Sequence, residues 1–375
     1  MSAPTVLERI QALDAYAPGL SIAEIRRRYG LAKVIKLASN ENPLGASPLA
    51  QEAIRRNAGL AFRYPQGGNP RLVRALADLH GVAAERVVVG NGSDEIIDLL
   101  IRMLAAAGRH SLVCCEPCFS IYPIQARVAG VELRRAPLRE DFSPDMDALA
   151  ALTDASTRLV FLTTPDNPSG YCPPRAEVAR LAARLAEVAP EALLVVDEAY
   201  MDFAGDEAAL SLLAAGPLPE NVAVLRTFSK SWGLAGLRLG YGMLPPAVAD
   251  GFWRSRLPFS VNVLAEEAAL AALEDTAFRA ATMRTVREGR RALAAGLTRL
   301  GCRVWPSVAN FLMFRLPAGH DARACFEALL RRGIIIRPLT SYHLPEHLRV
   351  SEGNAEENAA FLRALEEILT APEAA

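Results

Sequence analysis

The sequence predicts an α/β fold with a mainly parallel central sheet flanked by helices, followed by a smaller α+β unit. Three observations carry this. Short apolar runs alternate with amphipathic stretches through most of the chain up to about residue 245, the order that builds a parallel sheet covered on both faces. From about residue 247 the pattern changes to long helical periodicities with short strands between them. Glycines and polar residues collect where predicted strands end, the edge at which open α/β sheets hold ligands.

The elements follow in order. Residues 86–90, Arg-Val-Val-Val-Gly, read as a buried strand. Ser93 is the expected cap of a helix running to about residue 106. Further strands are expected at 112–115, 131–135, 159–162, 193–196, 222–225 and 239–243, with helical patterns such as 175–188 between them. In the second part, 276–300 is the clearest helix, and strands at 303–305, 311–314, 334–336 and 348–350 interleave with helical stretches. Asn354, with Glu357 three residues on, forms a capping pair that opens the last helix. We expect an N-terminal arm over 1–36, a large domain over 37–260 and a small domain over 261–375, fraying at 371–375. No internal repeat or low-complexity linker is visible.

Bulk composition narrows the function. A chain of 375 residues with 51% hydrophobic and 22% charged residues has the make-up of a folded soluble protein. A net charge of −1 argues against a general nucleic-acid binder. No apolar run reaches the length of a membrane span, and residues 1–9 lack a basic start followed by an apolar stretch, so a cytoplasmic protein is expected. Cys115 and Cys118 match C-x-x-C, but neither a second pair nor a histidine pair stands at useful spacing for zinc. Cys114 and Cys115 end an apolar run and are expected to pack as small hydrophobes. His343 and His347 are four apart, yet Pro345 between them spoils a helical pair. No metal site is expected.

Lysine is scarce. Of 41 basic Lys and Arg residues, only Lys33, Lys36 and Lys230 are lysines. A guanidinium stays protonated, whereas an amine can lose its proton and attack a carbonyl. Lys33 and Lys36 read as solvated charges. Lys230 lies in Thr227-Phe228-Ser229-Lys230-Ser231-Trp232-Gly233-Leu234-Ala235-Gly236-Leu237-Arg238, where hydroxyls, glycines and an arginine suit an aldehyde that also carries a phosphate.

Three other strand ends are informative. Gly90-Asn91-Gly92-Ser93-Asp94-Glu95 allows close backbone approach and offers helix N–H groups to a phosphate, although it reads equally as a tight turn. Glu95 stands where a dinucleotide fingerprint needs a glycine, which disfavours a nicotinamide dehydrogenase. In Thr163-Thr164-Pro165-Asp166-Asn167-Pro168-Ser169-Gly170, two X-Pro bonds fix the backbone around the Asn167 amide; a plain Pro/Gly loop is the alternative. Val195-Val196-Asp197-Glu198-Ala199-Tyr200 places a carboxylate directly after a buried strand, which is costly unless it meets a cation or a proton. A pyridinium nitrogen is such a partner; a helix cap or surface turn is the other reading.

Taken together, the order and spacing of these segments resemble the fold-type I pyridoxal-phosphate aminotransferases, nearly end to end. Tyr16-Ala17-Pro18-Gly19, Asn40-Glu41-Asn42-Pro43, Arg63-Tyr64-Pro65 and Leu348-Arg349-Val350-Ser351-Glu352-Gly353 extend the match. The Asn-Glu-Asn-Pro and Tyr-x-Pro-Gly segments are similar to those of the histidinol-phosphate branch.

The resemblance implies a transamination between L-histidinol phosphate and 2-oxoglutarate with pyridoxal 5'-phosphate as cofactor. It implies that Lys230 links to the cofactor aldehyde and then shuttles the proton, that Asp197 pairs with the ring nitrogen, and that Asn167 and Tyr200 bind the ring hydroxyl. Phe119 would stack on the ring. Ser93 and Asp94 backbone groups, with Thr227, Ser229 and Arg238, would hold the phosphate, joined by Tyr64 from the partner subunit of a homodimer. Tyr16, Asn40, Asn167, Arg337 and Arg349 would bind substrate.

Departures from the family pattern are Asp166, Gln66 and Glu352; a Glu352 close to Arg349 would alter substrate preference. Relatives acting on aromatic amino acids, or decarboxylating threonine phosphate, share most of these motifs. A catalytically silent cofactor-binding protein is the alternative outside enzymes.

Overall fold

The structure, a computed structural model, describes residues 5–13 and 19–371. Tyr16 and most of its Tyr-x-Pro-Gly segment, and the expected frayed end beyond residue 371, lie outside the described residues.

The strands are β1 (Ile35–Lys36), β2 (Val87–Gly90), β3 (Ser111–Glu116), β4 (Glu132–Pro137), β5 (Thr157–Thr163), β6 (Leu193–Asp197), β7 (Val222–Thr227) and β8 (Gly240–Met243). They continue with β9 (Arg303–Val304), β10 (Phe311–Arg315), β11 (Ile334–Ile335), β12 (Arg337–Pro338) and β13 (His347–Ser351). A seven-stranded sheet has the order β2-β8-β7-β6-β5-β3-β4. Its pairings are parallel except that β8 runs against both of its neighbours, β2 and β7. The chain is thus α/β with a mostly parallel sheet.

Strand alternation builds two cores from single apolar runs. Val87, Val89, Val113, Val160 and Val196 point to one face. Val88, Leu112, Phe161 and Val195 point to the other. Cys115 packs with the first group and Cys114 with the second, so these thiols fill space as expected. Each buried Val or Leu contributes roughly 1.5–3 kcal/mol, and a strand buried on both faces collects this at every position. Among the described residues no group of His, Cys, Asp and Glu could hold a metal ion, and no helix is long and apolar enough to cross a membrane.

A second, four-stranded antiparallel sheet has the order β12-β13-β10-β9. It packs on the helices Thr276–Arg299 and Ala355–Thr370 through Leu293, Leu297, Phe361 and Leu365. The capping box of Asn354 and Glu357 opens the latter helix as expected.

Three local expectations are corrected. The cap of the helix Ser93–Leu104 is Gly92, with φ of 76°, and Ser93 is its first helical residue. That turn needs a left-handed residue, which glycine supplies without strain. Residues 334–335 join β1 in a separate parallel pair instead of the four-stranded sheet. Lys36, in that pair, is ion-paired to Glu41 at 2.9 Å instead of being simply solvated.

The direction of β8 brings Gly240 opposite both Gly90 and Thr227. A Cβ on Gly240 would lie 2.2 Å from the Ser93 backbone nitrogen. Gly240→Ala therefore pushes the start of that helix away and is expected to destabilise the protein by roughly 1–3 kcal/mol. Gly236→Ala, where a Cβ meets nothing within 4 Å, is the control. Urea unfolding of both variants checks this; equal midpoints would show that the close approach does not constrain the fold.

Candidate active site

Because β8 alone is reversed in the large sheet, the carboxyl ends of β2, β3, β5, β6 and β7 share one edge. That edge encloses a cavity of about 250 Å³. From the turn after β2 come Ser93 and Asp94; Phe119 follows β3. Thr163 and Asn167 come from the end of β5, and Asp197 and Tyr200 from β6. The end of β7 supplies Thr227, Ser229 and Lys230, and Arg238 follows. Ten residues singled out in the sequence therefore line one space.

Asp197 is 3% exposed. One carboxylate oxygen, Oδ1, accepts the Ala199 N–H at 3.2 Å, and Oδ2 accepts the Tyr122 hydroxyl at 2.7 Å. Burial pushes its pKa up to about 6, against the Tyr122 hydrogen bond, the Ala199 N–H and the Lys230 charge. The Lys230 amine donates to the Ser39 carbonyl at 3.1 Å. Its pKa is brought down to about 8, first by burial and then by the Arg349 charge, while Glu41 and Asp94 oppose the shift. An amine with that pKa is partly neutral near pH 7.5 and able to act as nucleophile and base.

The other end of the cavity is a cradle of donors. The helix Ser93–Leu104 starts there with its unpaired N–H groups. Arg238 lies beside it and pairs with Asp94 at 3.2 Å. A Cβ at Gly92 would sit 2.6 Å from Arg238 Nη2, so glycine is what lets the guanidinium approach the turn. The Thr227 hydroxyl accepts the Ser229 N–H at 3.0 Å and shapes the turn before Lys230.

Two predicted substrate residues adjoin the cavity through hydrogen bonds. Asn40 Nδ2 donates to the Tyr200 hydroxyl at 3.0 Å. Asn40 itself has φ of 55° and is held by Ser351 and Asn310. Buried Arg349 donates to Asn167 Oδ1 and, at 2.9 Å, to the Ala38 carbonyl. Arg337 stands opposite Arg349 in the β12–β13 register and opens onto a neighbouring cavity of about 560 Å³.

Other expectations fall elsewhere. Tyr64 is 81% exposed and stacked on Phe259, with ring centroids 4.7 Å apart, outside this chain's own cavity. Glu352 does not face Arg349. Its Cβ lies 3.5 Å from where a Cβ on Gly289 would be, and the positive charge acting on it is that of Arg290 on the helix Thr276–Arg299. Asp166 is buried and accepts the Ser169 N–H at 3.1 Å and hydroxyl at 2.6 Å, which braces the loop that presents Asn167. Tyr122 and Thr163 were not singled out from the sequence. A tyrosine three residues after Phe119, on a helix with a buried face, was the available signal, since a buried hydroxyl needs a partner.

These parts fit one kind of cofactor. The donor cradle could hold a phosphate, the amine could react with an aldehyde, the Phe119 face could cover a flat ring, and the buried Asp197 could pair with a protonated ring nitrogen. Fold and site together define a pyridoxal-phosphate enzyme of fold type I. The family of class I and II aminotransferases matches over residues 32–365, and the chain belongs to that family.

The histidinol-phosphate aminotransferase of Nitratidesulfovibrio vulgaris is 62% identical over 375 residues, covering 98% of this chain and 99% of that protein. Histidinol-phosphate aminotransferase 2 of Pseudomonas aeruginosa is 43% identical over 96% of each. The crystal structure of the Sinorhizobium meliloti histidinol-phosphate aminotransferase in complex with pyridoxal-5'-phosphate superposes with a TM-score of 0.87 at 28% identity, covering 98% of both chains.

The lowered pKa of Lys230 is directly measurable. The rate at which apoprotein captures pyridoxal phosphate is expected to rise between about pH 7 and 9 as the amine loses its proton, then to flatten. A rate still climbing toward pH 10.5 would mean that burial does not lower this amine.

Proposed function

We propose that the protein catalyses transamination between L-histidinol phosphate and 2-oxoglutarate, giving imidazole-acetol phosphate and L-glutamate. The observation that carries it is the convergence of Lys230, Asp197 and the Arg238 cradle in one cavity, with Arg349 hydrogen-bonded to one of its walls. The 62% identity to a histidinol-phosphate aminotransferase over nearly the whole chain supports the choice of amine.

Pyridoxal 5'-phosphate, when bound, supplies the aldehyde that takes the amino group and a ring that accepts electrons released with the α-proton. The chain's own residues do the rest. Lys230 Nζ, partly neutral at working pH, removes the α-proton from the substrate carbon and hands it on. The Asp197 carboxylate holds a proton at the ring nitrogen. The Phe119 ring limits tilt by covering a ring face. Asn167 and Tyr200 address the ring hydroxyl, and Ser93, Asp94, Thr227, Ser229 and Arg238 anchor the phosphate. Arg349 and Arg337, with Tyr16 and Asn40, receive the substrate anion, a phosphate in one half-reaction and a carboxylate in the other; a guanidinium fork suits both.

The proposal extends to a cytoplasmic homodimer in which Tyr64 reaches the partner's cofactor phosphate. Exposed Tyr64, Phe62 at 74% and Leu257 at 70% support a covered surface there. Mixing the separately inactive Lys230→Ala and Tyr64→Ala proteins is expected to restore activity, because mixed dimers regain one intact site. No gain on mixing would place Tyr64 outside the neighbouring site.

The function itself is tested by the visible spectrum of the cofactor-loaded protein with L-histidinol phosphate and no oxo acid. The expected result is conversion of the cofactor to its pyridoxamine form. Conversion by phenylalanine but not by histidinol phosphate would keep the aminotransferase and discard this amine. Lys230→Ala should lower turnover by at least about a thousandfold; substantial remaining turnover would remove Lys230 from the chemistry.

A further inference from the structure

We infer that Tyr122 is a positioning residue for the aminotransfer reaction: its phenol orients the Asp197 carboxylate toward the cofactor ring nitrogen and keeps its negative charge in place. This rests on the proposed pyridoxal-phosphate chemistry and adds a residue to it.

An ionised carboxylate can only accept hydrogen bonds, and a phenol has one proton to give. With Tyr122 donating to Asp197 Oδ2 at 2.7 Å, the Thr163 hydroxyl 2.9 Å away must donate to the phenol oxygen. The result is a directed relay from Thr163 through Tyr122 to Asp197, in which each bond polarises the next. The other oxygen of Asp197 takes the Ala199 N–H, so both oxygens are fixed in direction.

The phenol cannot drift. Tyr122 is 1% exposed, and its ring stacks on Phe161 at 4.5 Å between centroids with 14° between planes. It also meets Phe119 edge-on at 5.7 Å. The Tyr122 N–H donates to the Phe119 carbonyl at 3.1 Å, so one turn of chain sets both the face that covers the cofactor and the hydroxyl that holds Asp197. Burial is the largest cause raising the Asp197 pKa, and the Tyr122 bond is the foremost influence against it; Asp94 adds to the rise and Lys230 opposes it. Without the phenol, a carboxylate already near neutrality would take up a proton and lose its attraction for a protonated ring nitrogen. Burial and the Asp197 charge push the Tyr122 phenol well up, so it remains a donor.

Tyr122→Phe in the full-length protein fills the same space and removes only the hydroxyl. Apoprotein is titrated with pyridoxal phosphate by fluorescence, and the ring-nitrogen NMR signal of bound 15N-labelled pyridoxal phosphate is recorded. The cofactor Kd is expected to rise about tenfold or more, the loss of a hydrogen bond to a charged group. The nitrogen signal should move toward that of an unprotonated pyridine, and kcat should fall more than KM changes. Wild-type Kd and an unmoved nitrogen signal in the Phe variant would overturn the inference. Incorporation of 3-fluorotyrosine at position 122 gives a more acidic phenol of nearly the same shape, and it decides the matter if the Phe variant fails to fold. It should tighten cofactor binding, whereas unchanged or weaker binding would overturn the inference. Wild-type protein that holds no pyridoxal phosphate would instead bring down the underlying functional reading, and this inference with it.

Discussion

A carboxylate and an amine withdrawn from water at one edge of a sheet constrain everything around them. Burial drives each toward its neutral form, Asp197 up to about 6 and Lys230 down to about 8. In solution the two groups titrate far from neutrality; here both sit close to it. A site with these two values can hold a proton on a ring nitrogen and lift another from carbon at the same pH. The fold then supplies directed hydrogen bonds that hold each group in place. Those bonds are the Tyr122 hydroxyl and Ala199 N–H on Asp197, and the Ser39 carbonyl on Lys230.

Rigidity of that edge comes from a second buried charge pair directly behind it. Glu198, next to Asp197, accepts from Arg226 Nε at 3.0 Å and Nη2 at 2.7 Å, and from the Ser211 hydroxyl at 2.8 Å. Both charges are 2% exposed. Removing one partner of such a pair typically costs about 3–5 kcal/mol, because the other is left buried and uncompensated. The pair ties the end of β6 to β7, which the Glu198 N–H to Leu225 carbonyl bond at 2.8 Å reinforces. Arg226 also reaches Asp202, which accepts from the Ser231 hydroxyl beside Lys230. The two strand ends that present Asp197 and Lys230 are thereby held in one network.

Much of this was legible in the sequence. The strands after residue 86 stood out because runs such as Val87-Val88-Val89 serve two cores at once, and the helix Arg175–Val188 matched its periodicity at both ends. Asp197 and Lys230 stood out because each breaks a local rule, an acid on a buried strand and an amine in an arginine-rich chain. What stayed hidden depended on tertiary contact. Tyr122 lies 75 residues from Asp197, and no local pattern joins a helical tyrosine to a strand end. The two-residue strands β1 and β12 carry no periodicity at all. Ser93 resembled a cap by composition, yet the positive φ of residue 92 and the Arg238 guanidinium packed against it favour glycine there as the cap. Glu352 lies three residues from Arg349, and an odd spacing along extended chain sends side chains to opposite faces.

The Arg349–Asn167 bond joins the two halves of the site. Arg349 is 5% exposed and gives one guanidinium nitrogen to the Ala38 carbonyl and another to Asn167, a residue proposed to address the cofactor ring hydroxyl. An anion arriving at Arg349 must share that guanidinium with an amide already bound to it. Occupancy of the anion site and the hydrogen-bonding capacity of Asn167 are therefore not independent. Arg337, placed opposite Arg349 by the β12–β13 register, offers a second guanidinium on the same face of the small sheet. A phosphate has more acceptor oxygens than a carboxylate and can engage both guanidinium groups with fewer donors left unsatisfied. The two anions would then draw on Arg349, and through it on Asn167, to different extents. With the proposed roles of Arg349 and Asn167, recognition of the substrate anion would be coupled to the cofactor end of the cavity through this single side-chain contact.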